Sequence, residues 1–314
     1  MTKGSVPTEQ LVALGATRPL VESYPSRDTE VGALKVSRAL PVKGRRMIGP
    51  WCFLDRYGPL TFSEGRPMDV APHPHIGLQT VTWLLEGEVV HDDSLRCEAV
   101  VRPGAVNVMT SGRGIAHAER TPPANSGRLN GIQLWAALPD AHRHIAPSFQ
   151  HVEQVPVSES SGGVVQLIAG TLSGVASPAL HYSEIFGADV RVHPGHSLTL
   201  PMHATFEYAV LVLAADCVVN GQSLEERVLY YLGSRRSEVI FSSRGGGRLL
   251  LIGGPPFPES IVMWWNFVAR TPDEIVKART DWEEQRAFGE VPAYDGPRLS
   301  APSLTRPARP NPLS

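Results

Sequence analysis

The sequence predicts an all-β chain in two β-rich halves, each a sandwich or barrel, closed by one short helix. Three observations carry this. The 314 residues include 29 glycines and 28 prolines, a supply of turn-formers that suits many short strands and not a helical protein. Short β-branched and aromatic runs recur between those turns. A helix start signal stands out at one place only, near the end of the chain.

Residues 1–30 are polar and irregular and read as a surface segment. From Val31 the strand pattern begins. Gln79–Leu85 is rich in β-branched and aromatic residues, and Gly87 then permits a turn. Val89–His91 leads to Asp92 and Asp93, a turn signal, and Ser94–Val101 reads as the next strand. Arg102-Pro103-Gly104 is a tight turn, because proline presets φ and glycine accepts φ > 0. Ala105–Met109 alternates as a strand with one buried face, and Gly131–Leu138 ends at Pro139. The first barrel is thus placed at 31–150 and a Pro- and Ser-rich linker at 151–163.

A second barrel is placed at 164–290. Its candidate strands are Val164–Ala169, Leu180–Ile185, Asp189–His193, Ser197–Leu200, Phe206–Leu213, Cys217–Asn220, Val228–Leu232, Glu238–Phe241 and Leu249–Ile252. Thr271-Pro272-Asp273-Glu274 is a capping box with proline at the first helical position. Ile275, Ala278, Trp282 and Arg286 follow at helical spacing, so the apolar stripe is expected to pack on a sheet. Residues 291–314 are proline-rich and expected to be an extended or disordered strap.

Composition excludes several classes of function. The net charge is −2 and charged residues make up 19%, a near-balance that argues against an electrostatic nucleic-acid binder without excluding a local basic patch. The longest apolar run is eight residues, Tyr208–Ala215, against the ~20 a spanning helix needs. No apolar leader precedes residue 20. Cys52, Cys97 and Cys217 are odd in number and far apart, which suggests no disulfide framework and a cytoplasmic setting with reduced thiols.

Two fragments carry chemistry. In His73-Pro74-His75 the two imidazoles are at i and i+2, which on a strand point to one face. His117-Ala118-Glu119 has the same spacing. If the fragments lie on facing or adjacent strands, their side chains converge as an N3O set suited to a divalent first-row metal such as Fe, Ni, Cu, Mn or Zn. Gly112 and Gly114 permit the sharp approach that aims His117 inward. His142, His144 and His151 form a rival cluster, but they lie in the proline-rich connector with no strand to align them, and a solvated loop is the expectation. His193 and His196 flank Pro194-Gly195 and read as turn histidines.

His73-Pro74-His75-Ile76-Gly77-Leu78-Gln79-Thr80, then Gly87, His91, Asp93 and Ser94, then Gly112-Arg113-Gly114-Ile115-Ala116-His117-Ala118-Glu119, resemble the pirin family of the cupin superfamily. Val36–Pro41, Ile48–Trp51, Leu54–Pro59, Gly253–Pro256 and a Trp264–Val268 segment expected to be helical extend the likeness to roughly residues 30–290. The resemblance implies a bicupin, two packed jelly-roll barrels, with one metal ion in the first barrel. It implies His73, His75, His117 and Glu119 as ligands, with Glu119 replacing the carboxylate that ordinary cupins place soon after the histidine pair. Fe(II) is the expected ion, with Ni, Cu, Mn, Co or Zn as alternatives.

The activity implied is that of a quercetin 2,3-dioxygenase opening flavonols or related phenolics with O2, with Glu119 also available as a base. The alternative is a non-enzymatic metal- or redox-sensing regulator that docks on a protein partner. The second barrel keeps only His203 in its Met202–Glu207 counterpart and is expected to hold no metal. Trp264 and Trp265 could line a pocket, and burial against that barrel is the favoured expectation.

Overall fold

The computed structural model describes residues 21–32 and 34–304; the first twenty residues and the last ten of the strap lie outside the described part. Two halves repeat one plan, an antiparallel sheet of seven strands over a sheet of four. In the first half the large sheet runs, in spatial order, Ser148–Val152, Val106–Thr110, Leu78–Gly87, Arg128–Ala137, Trp51–Thr61, Leu34–Leu40 and Arg27–Val31. The small sheet runs Asp69–His75, Ile115–Arg120, Val89–Asp93 and Glu98–Val101. In the second half the large sheet is centred on Glu207–Ala214 and Gly247–Gly254, and the small one on Glu238–Ser242.

Strand alternation divides the work of the first large sheet between two faces. Leu54, Val81, Trp83, Ile132, Leu134 and Ala136 pack outward against Ala209, Leu211, Leu213, Leu229, Leu250 and Ile252 of the second half. Their neighbours Phe53, Asp55, Tyr57, Gln133 and Trp135 face a cavity inside the first barrel. Polar clamps cross the seam between barrels. The Trp51 indole N–H donates to the carbonyls of Phe186 and Gly253 at 2.9 and 3.2 Å. Arg56 donates to the carbonyls of Val212 and Leu213 at 3.2 and 2.5 Å. The Gly49 amide donates to Glu207 Oε1 at 2.5 Å. The Trp83 indole N–H donates to Asp189 Oδ2 at 2.9 Å, and Arg248 holds both oxygens of the same carboxylate.

The interior of the second barrel is filled by apolar side chains, among them Leu167, Phe186, Val190, Val210, Phe241 and Leu251. His203 is not inside it: the ring is exposed and bonded to Thr205 Oγ1 at 2.8 Å.

The chain then returns to the first barrel. A hairpin of Val262–Trp264 and Phe267–Ala269 replaces the helical segment expected there. Ile261 and Val268 pack with Cys52, Phe53, Leu78 and Trp135 of the first half. The helix Pro272–Glu283 has both arms of its capping box and buries Ile275, Ala278 and Trp282. That stripe packs on Ala116 and Ala118, the outer face of the strand that carries His117; Arg286 falls beyond the helix end.

Other differences have local causes. Residues 22–31, expected to be irregular, form two strands, Glu22–Pro25 on the second barrel's large sheet and Arg27–Val31 on the first's. Both are edge strands, where one half-exposed face can be polar and leaves no hydrophobic signal. Leu180–Ile185, expected as a strand, is a loop with Leu180 exposed, and only residues 98–101 of the Ser94–Val101 run are extended as a strand. The first barrel's strand Ser148–Val152 runs into the first two residues of the linker, and the strand Val157–Ser160 lies within it. The strap makes a turn at 292–293 and runs without regular structure to residue 304, tied down on the way: the Leu299 amide donates to the Pro72 carbonyl at 2.8 Å, and Trp282 Nε1 donates to the Leu299 carbonyl at 2.8 Å.

Candidate metal centre

His73 and His75 sit on Asp69–His75, the edge strand of the small sheet. An edge position tolerates Pro72 and Pro74, which have no N–H to give to a ladder. The strand pairs with Ile115–Arg120 so that His73 lies directly opposite His117. A register shift follows between His117 and Glu119, and Glu119 pairs across the other side with His91. Behind the histidines the chain makes two close approaches that only glycine allows. Gly77 has φ +68° and a β-carbon there would lie 2.1 Å from the Val268 carbonyl oxygen; Gly112 has φ +49° and the same distance to that of Ile145.

The three imidazoles meet. Ligand atoms of His73, His75 and His117 lie within 4.8 Å of one another, the group of this kind found among the described residues. Nε2 of His75 is 3.1 Å from Nε2 of His117. His73 Nδ1 faces the Ala71 carbonyl at 2.9 Å and His75 Nδ1 faces the Asn266 carbonyl at 3.0 Å. A carbonyl only accepts, so both Nδ1 atoms carry the proton and both Nε2 atoms keep a lone pair. Neutral imidazole nitrogens are ordinary ligands for a first-row divalent ion, and three of them lie within 4.8 Å of one another here. The donor set therefore fits a metal.

Glu119 lines the same cavity and is 8% exposed. Its Oε1 lies 3.2 Å from the Thr82 hydroxyl, which is also 3.0 Å from Gln133 Oε1. The carboxylate stands beside the three-histidine cluster and is not part of it. Burial pushes the Glu119 carboxyl up from its ordinary value. Burial also holds His75 and His117 well below the usual imidazole range and lowers His73 to about 4.

The cavity has a volume of about 450 Å³. One end is the histidine cluster with Glu119 and Gln133, and its walls mix apolar side chains with Arg27, Glu30 and the Arg38–Asp55 ion pair. One wall is a slab: Phe53 stacks on Trp135 at 3.9 Å and 12°, Trp135 meets His75 edge-on at 5.1 Å, and Arg38 covers Phe53 at 4.4 Å. Trp265, Met263 and Leu299 complete the lining. Trp265 thus serves the first barrel, contrary to the expectation from sequence, because the hairpin folds back over it.

The rival clusters do not gather. His151 bonds Asn107 Oδ1 at 2.6 Å, His142 packs against Tyr182, and His196 bonds the Pro194 carbonyl in its turn. A residue given no role from sequence, His91, lies behind His117, with the two Nδ1 atoms 3.3 Å apart. The signal for it was present as a third i, i+2 pair, His91 and Asp93, on one strand.

A pH effect follows from the buried imidazoles. Unfolded histidine takes up a proton near pH 6.5, whereas folded His73 does so only near 4. Between those values unfolding binds protons, so stability present above about pH 6.5 is lost as pH falls toward 4. For His73 alone the loss is on the order of 3 kcal/mol. Melting temperatures of metal-free protein across this window are expected to drop steeply, and less steeply for His73→Gln.

Comparison with known proteins matches this architecture in both halves. The Pirin family profile covers residues 33–136, and the Pirin C-terminal cupin domain covers 187–288. The chain is 44% identical over 287 residues to a Pseudomonas aeruginosa protein named "Putative quercetin 2,3-dioxygenase PA1205", covering 91% of each. It is 38% identical over 270 residues to a pirin-like protein of Caulobacter vibrioides, covering 84% of this chain and 93% of the relative. A crystal structure of quercetin 2,3-dioxygenase from Acinetobacter baumannii superposes with a TM-score of 0.89 at 40% identity, covering 92% of this chain and 97% of the other. With two cupin barrels, both family domains and full-length relatives in agreement, the chain belongs to the pirin family.

Proposed function

We propose that the protein is a metal-dependent dioxygenase of the quercetin 2,3-dioxygenase type, opening flavonols or related phenolic rings with O2. The observation that carries this reading is the convergence of three imidazoles at the polar end of an aromatic-walled cavity. The names of the relatives at 44% and 40% identity support the same activity. His73, His75 and His117 would hold the ion, with Glu119 as the fourth donor, and Fe(II) is the ion proposed first.

When bound, a divalent ion supplies Lewis acidity for a phenolate oxygen and a site for redox chemistry with O2. The chain supplies the rest. A flat phenolic ring lies against the Phe53–Trp135 slab, gaining apolar contact with rigid rings at little entropic cost. Trp265, Met263 and Leu299 help exclude water from the cavity. Glu119 accepts the proton of the phenolic hydroxyl. Burial favours that role, because a carboxylate with a raised pKa is closer in proton affinity to the group it deprotonates. Thr82 has one proton to share between Glu119 and Gln133, so it can stabilise the carboxylate before transfer and turn to Gln133 afterwards.

The test is oxygen uptake coupled to loss of flavonol absorbance, after reconstitution with Fe, Ni, Cu, Mn or Co. Turnover that depends on the added ion is expected. Glu119→Gln keeps an oxygen donor and loses the base, and its kcat is expected to fall by about 10²–10⁴-fold. No turnover with any ion removes the flavonol reading and leaves the metal site standing.

A further inference from the structure

His91 and Asp93 lie outside the cavity lining, yet both are almost fully buried, 3% and 1% exposed. They form a line that ends on His117. Asp93 Oδ1 accepts the backbone amides of Leu95 and Cys97 at 2.8 and 3.0 Å, which fixes the carboxylate in place. Its Oδ2 faces His91 Nε2 at 3.1 Å. The His91 ring is stacked on Phe149 at 4.2 Å and 8°, so its plane is fixed as well. His91 Nδ1 then faces His117 Nδ1 at 3.3 Å.

We infer that Asp93 and His91 are positioning residues that set the tautomer of His117 and aim its Nε2 lone pair into the histidine cluster. The logic runs from acceptor to acceptor. An Asp93 carboxylate only accepts, so His91 carries its proton on Nε2. His91 Nδ1 is then a lone pair, and the nitrogen facing it, His117 Nδ1, must carry a proton. His117 Nε2 is left free, matching His73 and His75, whose Nδ1 protons are fixed by the Ala71 and Asn266 carbonyls. Each of the three imidazoles thus has a partner at the back and an open nitrogen at the front. For two of them the partner is backbone; for His117 it is a side-chain relay, and so can be removed by mutation. Such outer partners generally affect metal affinity by about 10–100-fold.

The inference rests on the metal-centre reading for its consequence, but its tautomers exist without any ion. Long-range ¹H–¹⁵N spectra of metal-free wild-type protein, with His→Gln variants for assignment, are expected to show His117 protonated on Nδ1 and His91 on Nε2. His117 protonated on Nε2, donating to His75, overturns the relay. Co(II) titration against a chelator gives the second readout. His91→Phe keeps the stacking on Phe149 and loses both nitrogens, and Asp93→Leu loses the acceptor. Each is expected to weaken Co(II) binding by about 10–100-fold. Asp93→Asn has a single oxygen, which the Leu95 and Cys97 amides hold, so its NH2 faces His91 Nε2 and reverses the relay; it is expected to weaken Co(II) binding as Asp93→Leu does while its near-isosteric side chain keeps the fold, a loss that a merely structural role does not predict. Unchanged affinity in His91→Phe and Asp93→Leu overturns the positioning role. A wild-type chain that takes up no Co(II) overturns the metal reading instead.

Discussion

His75→Ala is expected to lose metal affinity by on the order of a hundredfold or more, because it deletes one of three convergent nitrogens. The ring is 1% exposed and its Nδ1 is anchored on the Asn266 carbonyl. No other group found among the described residues gathers three metal-ligating side chains within reach of one another. The affected quantity is the fraction of chains that retain Co(II) or Zn(II) against a chelator, measured by elemental analysis beside a circular dichroism spectrum. Retention equal to wild type in a folded His75→Ala protein contradicts the ligand assignment. His75 also touches the edge of the Trp135 ring, so a modest fall in melting temperature accompanies the loss.

The second large effect is on stability and arises in the seam between the barrels. Asp189 is completely buried in the second barrel. It accepts the Trp83 indole N–H from the first barrel and a bidentate pair from Arg248. Asp189→Ala leaves both donors without their acceptor in the seam between barrels. Breaking a buried ion pair from one side costs about 3–5 kcal/mol, and the loose indole N–H adds to it. Urea unfolding followed by tryptophan fluorescence is expected to show a midpoint lowered accordingly. A change below about 1 kcal/mol would mean that the pair adds little to the clamp, as an exposed ion pair does.

Much of this arrangement was legible in the residues themselves. The period of two in His73-Pro74-His75 and His117-Ala118-Glu119 was enough to place each pair on one strand face, and His73 lies opposite His117 in the sheet. The box at Thr271–Glu274 marked the helix start, and its buried stripe is Ile275, Ala278 and Trp282. What could not be read was set by distant packing. Nothing local tells Trp265 that its hairpin will fold back over the first barrel, because the contacts that decide it, Val268 and Ile261 against Cys52, Leu78 and Trp135, lie far apart in sequence. Polarity hides the Glu22–Val31 strands, and the apolar ends of Leu180–Ile185 give a strand-like signal to a segment that folds as a loop.

Glu119 illustrates a different limit. Its spacing from His117 puts it on the right face, but which partner it takes depends on a register shift and on Thr82 from the facing sheet. His91 shows the same limit, since its role depends on the neighbour it meets across a strand pair and not on its own flanks.

The most direct measurement is anomalous diffraction at a metal absorption edge, from crystals of protein loaded with one first-row divalent ion. The expected result is a single strong peak per chain, within bonding distance of Nε2 of His73, His75 and His117 and inside the first barrel. A strongest peak elsewhere, or three imidazoles with no ion among them at saturating metal, would contradict the assignment.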